Sequence, residues 1–313
     1  MKAVVIDRYG GNEVIEIRDV PCPLPGRHDV LIRVRAASVN PLDWKIRYGK
    51  LKLFAGHNFP KILGSECAGE VFETGKEVTR FKKGDQVIGF SNIRRLSAFA
   101  EYACTKEETT FSKPRNITFE QASTIPIAGL TALQSLRDLG HVTPGNNVLI
   151  NGASGGVGMF AVQIGKIFWA KVIAVCSAPN ADLVKGLGAD RVIDYRQSDF
   201  TKSGELYDII FDAVSTCSPG ECKAVLTPKG TYVNTLPAFS IVLNRYLTGL
   251  LMKRKLKTVM VRPNISDMEW MKTHIEAGKI RIVIDRVYPM EQIKEALAYS
   301  ETGKARGKIV LEI

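Results

Sequence analysis

The sequence predicts an α/β fold in two parts, an N-terminal β-barrel of short strands and a doubly wound parallel sheet. Three observations predict it. An apolar strand, Val148 to Ile150, runs into small residues from Gly152 to Gly156 and then into a helical apolar pattern from Met159 to Gly165. Strand and helix patterns alternate from Val148 onward. Before about residue 110 the chain shows short alternating segments separated by Gly, Pro and Asp.

Taken in order, Lys2–Ile6 reads as a strand, Val14–Asp19 alternates, and Asp29–Ala36 is a strand entered through Pro23, Pro25 and Gly26. Ala68–Glu73 and Lys83–Gly89 continue the β-rich part. The character changes near 118, where Phe119–Thr124 begins a helix that resumes over Gly129–Leu136. After the strand at Val148 come strands at Lys171–Cys176, Arg191–Tyr195, Tyr207–Ala213 and Gly230–Asn234, and a sixth over Thr258–Val261. A helix over Ala181–Leu187 is capped by Gly188. From about Ile280 the pattern returns to that of the first part and ends in a strand at Lys308–Glu312. The expected division is 1–120, 121–265 and a returning segment 266–313.

With 313 residues the chain has room for two domains, and 45% hydrophobic residues mark it as globular. The net charge of +11 suits nucleic acid, a membrane surface or an anionic cofactor. The basic residues are scattered, densest at Lys253-Arg254-Lys255-Leu256-Lys257, and no nucleic-acid motif accompanies them. No nucleic-acid partner is therefore expected, and the charge reads as steering toward a phosphate-bearing ligand. The six cysteines, at 22, 67, 104, 176, 217 and 222, form no CxxC pair. They read as reduced, mostly buried thiols of a cytoplasmic protein. No signal peptide and no apolar run long enough to span a bilayer is expected.

Gly156-Val157-Gly158-Met159-Phe160-Ala161 fits the G-x-G-x-x-G/A fingerprint of a dinucleotide site. On this reading Gly156 gives the tight turn, Gly158 admits a pyrophosphate and Ala161 lets the helix lie close to the strand. The helix start offers free N–H groups and partial positive charge to phosphates. The plainer reading is a glycine-rich turn of any α/β protein. Folds that prefer NAD place Asp or Glu about 20 residues after the turn. Here the second strand ends Cys176-Ser177-Ala178-Pro179-Asn180, without a carboxylate. Ser177 and Asn180 are neutral donors that suit a 2′-phosphate, so NADPH is the expected cofactor.

Five phrases carry a resemblance: Ala36-Ala37-Ser38-Val39-Asn40-Pro41-Leu42-Asp43-Trp44-Lys45, Gly64-Ser65-Glu66-Cys67-Ala68-Gly69, Pro126-Ile127-Ala128-Gly129-Leu130-Thr131-Ala132, the glycine turn, and Gly303-Lys304-Ala305-Arg306-Gly307-Lys308. Over essentially its whole length the chain resembles the medium-chain dehydrogenase/reductase superfamily. Within it the chain looks like the zinc-independent quinone oxidoreductase branch, with its enone and alkenal reductases. The resemblance implies a GroES-like catalytic barrel and a Rossmann NADP-binding domain. It places Asn40 and Ser65 where the zinc alcohol dehydrogenases carry Cys and His, both poor substitutes as ligands. His57, Glu66 and Cys67 form no complete ligand set, so no metal is expected.

The resemblance also implies the site. Ala153, Gly155, Gly156, Val157 and Gly158 would surround the pyrophosphate. Tyr195 would stand at the adenosine phosphate beside Ser177 and Asn180. Lys45 and Thr131 would lie near the nicotinamide, Leu236 and Pro237 would line the cleft, and Arg306 and Lys308 would return toward the cofactor. Lys308 reads equally as a solvated strand residue. Hydride would pass to a quinone or to the β-carbon of an enone, and charge would gather on a carbonyl oxygen. Asn40 and Lys45 are the candidate donors to that oxygen, and Tyr48 or water the candidate proton source. Asp43 either positions Lys45 or caps a helix beginning near Trp44.

Phe239–Met252 is mostly apolar and ends in the basic cluster, so 239–257 is a candidate peripheral membrane contact, a lid, a dimer contact or a plain packed helix. A homodimer through the 258–262 strand is expected from the resemblance. The alternative to an enzyme is a nicotinamide-binding sensor or an RNA-binding protein of the same fold.

Overall fold

The computed structural model describes residues 1–235 and 255–313. Leu236, Pro237 and most of the 239–257 segment lie outside the described residues. The chain divides into two compact units, one formed by Met1–Pro126, Pro263–Glu276 and Val283–Ile313, the other by Ile127–Arg262 and Ala277–Ile282.

The first unit opens with β1 (Lys2–Ile6), β2 (Ile15–Asp19) and β3 (Asp29–Val39). Then come α1 (Pro41–Arg47), α2 (Lys52–Ala55), β4 (Lys61–Ile62) and β5 (Glu66–Thr74). β6 (Gln86–Phe90), β7 (Tyr102–Lys106), β8 (Thr110–Ser112) and α3 (Phe119–Ala122) follow. Thr118 caps α3, its Oγ accepting from the Gln121 N–H at 3.3 Å while the Gln121 amide oxygen accepts from the Thr118 N–H at 3.1 Å.

The second unit holds α4 (Leu130–Leu133), β9 (Asn147–Asn151), α5 (Gly156–Ile167), β10 (Lys171–Cys176) and α6 (Ala181–Gly186). It continues with β11 (Arg191–Asp194), β12 (Tyr207–Asp212), α7 (Pro219–Ala224), β13 (Leu226–Asn234) and β14 (Lys255–Thr258). The chain then gives the first unit α8 (Ile265–Glu276), β15 (Ile284–Pro289), α9 (Ile293–Glu301) and β16 (Lys308–Glu312). Among the described residues no helix is long and apolar enough to cross a membrane.

In the second unit the strands run in parallel in the order β11-β10-β9-β12-β13-β14, the doubly wound arrangement the alternation predicts. Val148, Leu149 and Ile150 are fully buried, as a central parallel strand covered on both faces requires. Each such side chain contributes about 1.5–3 kcal/mol by leaving water. The sixth strand lies three residues earlier than Thr258–Val261. Its register is set by Asn234 against Thr258, and Lys255-Leu256-Lys257 alternates with Leu256 packed into the core. The alternation was hidden inside what reads as a charge cluster.

In the first unit one sheet runs β15-β16-β3-β5-β6-β8, with β7 also on β3, and a smaller sheet runs β2-β1-β4. Their inner faces share a core that includes Val4, Ile6, Val30, Ile32, Leu63, Phe99 and Leu311. This is the GroES-like architecture, and the C-terminal strand joins it as expected. β16 enters antiparallel to β3 with Ile309 opposite Val39, which brings Lys308 level with Asn40.

The cysteine expectation needs correction. Cys217 and Cys222 form a disulfide, because α7 folds the short intervening stretch back on itself and brings their Cα atoms to 6.6 Å. Cys22, Cys67, Cys104 and Cys176 are free, and burial pushes the Cys67 thiol up to about 12 and Cys104 up to about 11.

Candidate active site

The second unit builds the glycine turn. Gly152 takes φ +79, so the left-handed position of the turn lies there, four residues before the Gly156 to which the fingerprint assigns it. The Gly152 and Ala153 N–H groups both donate to the Val175 carbonyl, at 3.1 and 3.0 Å, tying the turn to β10. Gly155 is the N-cap of α5, and Gly156, Val157 and Gly158 open the helix with the N–H groups a helix start leaves free. A Cβ on Gly158 would run into the Gly152 carbonyl oxygen and lie 2.7 Å from the Ala153 Cα. Its glycine therefore serves the close packing of helix on turn. These features fit a dinucleotide pyrophosphate.

At the end of β10 the Asn180 amide donates to Ser154 Oγ at 3.0 Å and to Ser177 Oγ at 3.3 Å. Its own Oδ1 is buried without a partner. Tyr195 follows β11 and is 57% exposed, and the Arg196 guanidinium lies 5.8 Å from its ring centre. Thr131 is buried on α4. Two further residues, Asn151 and Asp212, shape the turn. They end β9 and β12, at the carboxyl edge of the sheet where such folds bind ligands. Asn151 Nδ2 donates to Asp212 Oδ1 at 2.9 Å, and Asp212 also accepts from the Ser215 and Cys217 N–H groups and the Tyr232 hydroxyl. Their place directly before the turns, at the carboxyl ends of adjacent strands, is the signal that finds them.

The first unit holds a buried polar cluster where β3, β5 and β16 meet α1. Asn40, the N-cap of α1, accepts from the Lys308 ammonium at 2.6 Å through Oδ1. Its Nδ2 donates to Glu66 Oε1 at 2.8 Å and to the Ser38 carbonyl at 3.2 Å. Lys308 also lies 3.3 Å from Glu66 Oε1. Asn40, Glu66 and Lys308 are all buried, so Lys308 is no solvated strand residue. Asp43 is not the N-cap of a helix beginning near Trp44; it lies at the third position of α1 and closes a capping box with Asn40. Helix α1 begins at Pro41, and Asp43 Oδ2 accepts from the Asn40 N–H at 2.7 Å. Asp43 is wholly buried, and its carboxyl is pushed up to about 7. Burial is the main cause and the Glu66 charge adds to it, against the opposing effects of the Asn40 N–H, Lys308 and Ser65.

The other expected donors sit around α1. Lys45 is half-buried with its ammonium 5.3 Å from the Trp44 ring centre, and desolvation and the Lys50 charge hold its pKa below the usual lysine range. The Tyr48 hydroxyl donates to Glu301 at 3.2 Å, and the same Glu301 holds the buried Arg47. Arg306 is exposed, with its N–H on Asp285.

Zinc does not fit this cluster. Asn40 and Ser65 offer no thiolate or imidazole, and an ammonium already occupies the Asn40 and Glu66 oxygens. Among the described residues no group of three or more His, Cys, Asp or Glu could hold a metal.

Comparison with known proteins matches residues 26–115 to the alcohol dehydrogenase GroES-like domain and residues 187–311 to the zinc-binding dehydrogenase family. The chain is 36% identical to a chloroplastic quinone oxidoreductase, QR1, of Triphysaria versicolor, over 100% of this chain and 98% of that protein. It is 32% identical to an NADPH-dependent alkenal/one oxidoreductase of Arabidopsis thaliana, over 99% of this chain and 79% of that one. The quinone oxidoreductase structure from Coxiella burnetii superposes with a TM-score of 0.91 at 31% identity, covering 100% of this chain and 99% of that one.

Proposed function

The chain belongs to the medium-chain dehydrogenase/reductase superfamily, in its quinone oxidoreductase branch, and from that premise we propose that it is a zinc-independent reductase passing hydride from NADPH to a quinone or an α,β-unsaturated carbonyl. That it is an oxidoreductase with a nicotinamide cofactor follows from the family. The observation that carries the finer reading is the Lys308 ammonium on Asn40 and Glu66, a buried cation where a metal would need ligands.

The choice of NADPH rests on the loop after β10. Ser154, Ser177 and Asn180 present hydroxyl and amide groups with no carboxylate to repel a 2′-phosphate, and Arg196 stands over Tyr195 nearby. The N–H groups of Gly156 and Val157 would hold the pyrophosphate, with Ala153, Gly155 and Gly158 forming the turn beneath it. Thr131 would border the nicotinamide, and the exposed Arg306 would return toward the cofactor.

Bound, the reduced nicotinamide would supply the hydride. The protein's part is to stabilise the charge that arrives on the acceptor's oxygen. Both N–H groups of the Asn40 amide are already engaged, so Asn40 acts by holding Lys308 and Glu66 in place. Lys45 is the better donor. Its lowered pKa reflects an ammonium short of water, and such a group gains by donating to a developing oxyanion. Tyr48 shares Glu301 with Arg47 and serves as a wall of the acceptor site.

The test is oxidation of NADPH and NADH, in parallel, against a panel of quinones and of short and long enones. Turnover with NADPH, unaffected by chelators and with no stoichiometric zinc, is expected. Tight NADPH binding without turnover on any acceptor would replace the enzyme by a sensor.

A further inference from the structure

The loop that follows β12 joins the glycine turn to the disulfide of the second unit. Residues 213–217 leave the carboxyl end of β12 and pass over the start of the turn. A Cβ on Gly152 would lie 2.5 Å from a Val214 methyl carbon, so the valine rests on the left-handed residue of the turn. Thr216 Oγ1 accepts from Asn151 Nδ2 at 3.1 Å, at the end of β9. Ser215 takes φ +53, a left-handed conformation that serine rarely adopts, and its N–H donates to Asp212 Oδ1 at 2.8 Å. Such a backbone persists only where its surroundings hold it. β12 holds one end. At the other, the Cys217 N–H donates to Asp212 Oδ2 at 3.0 Å, its carbonyl accepts from the Tyr232 hydroxyl at 3.3 Å, and its sulfur is bonded to Cys222.

The two cysteines differ in surroundings. Cys222 is wholly buried, in a core cluster with Tyr207, Val225 and Tyr232. Cys217 is only partly buried, and Thr216, Ser218 and Gly220 around it are exposed. The bond thus anchors a surface loop to the core while its Cys217 side faces an approaching thiolate. Closing so short a loop removes little chain entropy, so the bond stabilises the fold less than a long-range one does. Exposed disulfides are also the ones that exchange.

We propose that Cys217–Cys222 is a thiol–disulfide exchange site for a dithiol reductant, and that its oxidised form holds the glycine turn in the shape that binds the dinucleotide. The inference rests on the reading of that turn as the cofactor site. The reductant's thiolate bonds to Cys217 Sγ, and the bond to Cys222 breaks with its electron pair on Cys222 Sγ, which takes a proton. The reductant's second thiolate then bonds to the first sulfur and releases Cys217 Sγ, which takes another. The protein gains two electrons and two protons, and the dithiol becomes a disulfide. Once reduced, the loop loses its anchor in the core, Val214 and Thr216 leave Gly152 and Asn151, and the turn loosens.

Dithiothreitol is the probe. Oxidised protein, alkylated after denaturation, should show four thiols, and protein first treated natively with dithiothreitol should show six. Six thiols in the air-oxidised protein would overturn the site. In fluorescence titrations, reduction should weaken NADPH binding about tenfold, and saturating NADPH should by linkage make the disulfide harder to reduce by the same factor. Cys217→Ser and Cys222→Ala should bind as the reduced protein does, with or without dithiothreitol. Cys176→Ala, which lacks the free thiol at the end of β10, should keep the response. In the cofactor-free protein, amide hydrogen exchange over 152–157 should quicken on reduction. Faster exchange in a protein that binds neither NADPH nor NADH would sink the cofactor reading and leave the exchange site and its hold on the turn standing. Equal affinity and equal exchange in the two redox forms would overturn the proposal.

Discussion

Lys308 donates to Asn40 across 2.6 Å and 268 positions of sequence, and the two residues sit level on the antiparallel pair β16 and β3. Removing the ammonium takes from the buried Glu66 the positive charge 3.3 Å from its Oε1. Lys308→Met should cost about 3–5 kcal/mol in urea unfolding, and adding Glu66→Gln should recover most of it. Additive losses from the two changes would show that the pair is not coupled.

Stability should fall as pH rises through the range where Asp43 titrates. The unfolded chain gives up this proton near the usual 3.8, while the folded one keeps it to about 7. Between those values the folded state binds more protons, so the fully buried group destabilises progressively with pH. It reaches roughly 4 kcal/mol above the window and nothing below it. Asp43→Asn keeps an acceptor for the Asn40 N–H and has no proton to lose. Urea denaturation at about pH 5 and pH 8 should show a smaller drop in this variant than in wild type. Equal drops would remove Asp43 as the source.

Gly158→Ala should abolish tight dinucleotide binding. Its Cβ would meet the Gly152 carbonyl oxygen, which is backbone and cannot step aside without opening the turn. Overpacking of this kind costs about 1–3 kcal/mol in stability. NADPH titration by fluorescence should show at least a tenfold loss while the far-UV spectrum stays native.

Cofactor choice should turn on one charge. Asn180→Asp places a carboxylate beside Ser154 and Ser177, where it accepts hydrogen bonds from a ribose hydroxyl and repels a 2′-phosphate. The NADPH-to-NADH preference in kcat/KM should fall about tenfold or reverse. An unchanged ratio would move the 2′ recognition away from this loop.

Arg47 is fully buried and ties α1 to α9 through Glu301 at 2.8 Å, to the Gly10 carbonyl at 3.3 Å and to Asn12. Glu301→Gln should destabilise by about 3 kcal/mol because it strands the guanidinium. A melting shift of less than a degree would contradict this.

The sequence by itself determined the order of the fold. An apolar run, small residues and a returning apolar period read as a strand, a tight turn and a helix, so the Val148–Gly165 unit was legible as a unit, though not which glycine makes the turn. So was the return of the last strand. Local patterns also placed Ser177 and Asn180 after β10, because fingerprint distances are counted along the chain. The tertiary structure decided what distances along the chain cannot carry. It put the left-handed residue at Gly152, since the turn's path depends on where Val175 holds it. It drew β14 out of a basic cluster, since only pairing with β13 selects that register. It joined Cys217 to Cys222. Above all, it buried Lys308, which the sequence read equally as a solvated strand residue. Burial and charge pairing belong to residues far apart in the chain, and the ammonium of β16, the amide of α1 and the carboxylates of Asp43 and Glu66 meet only when the sheet closes over them.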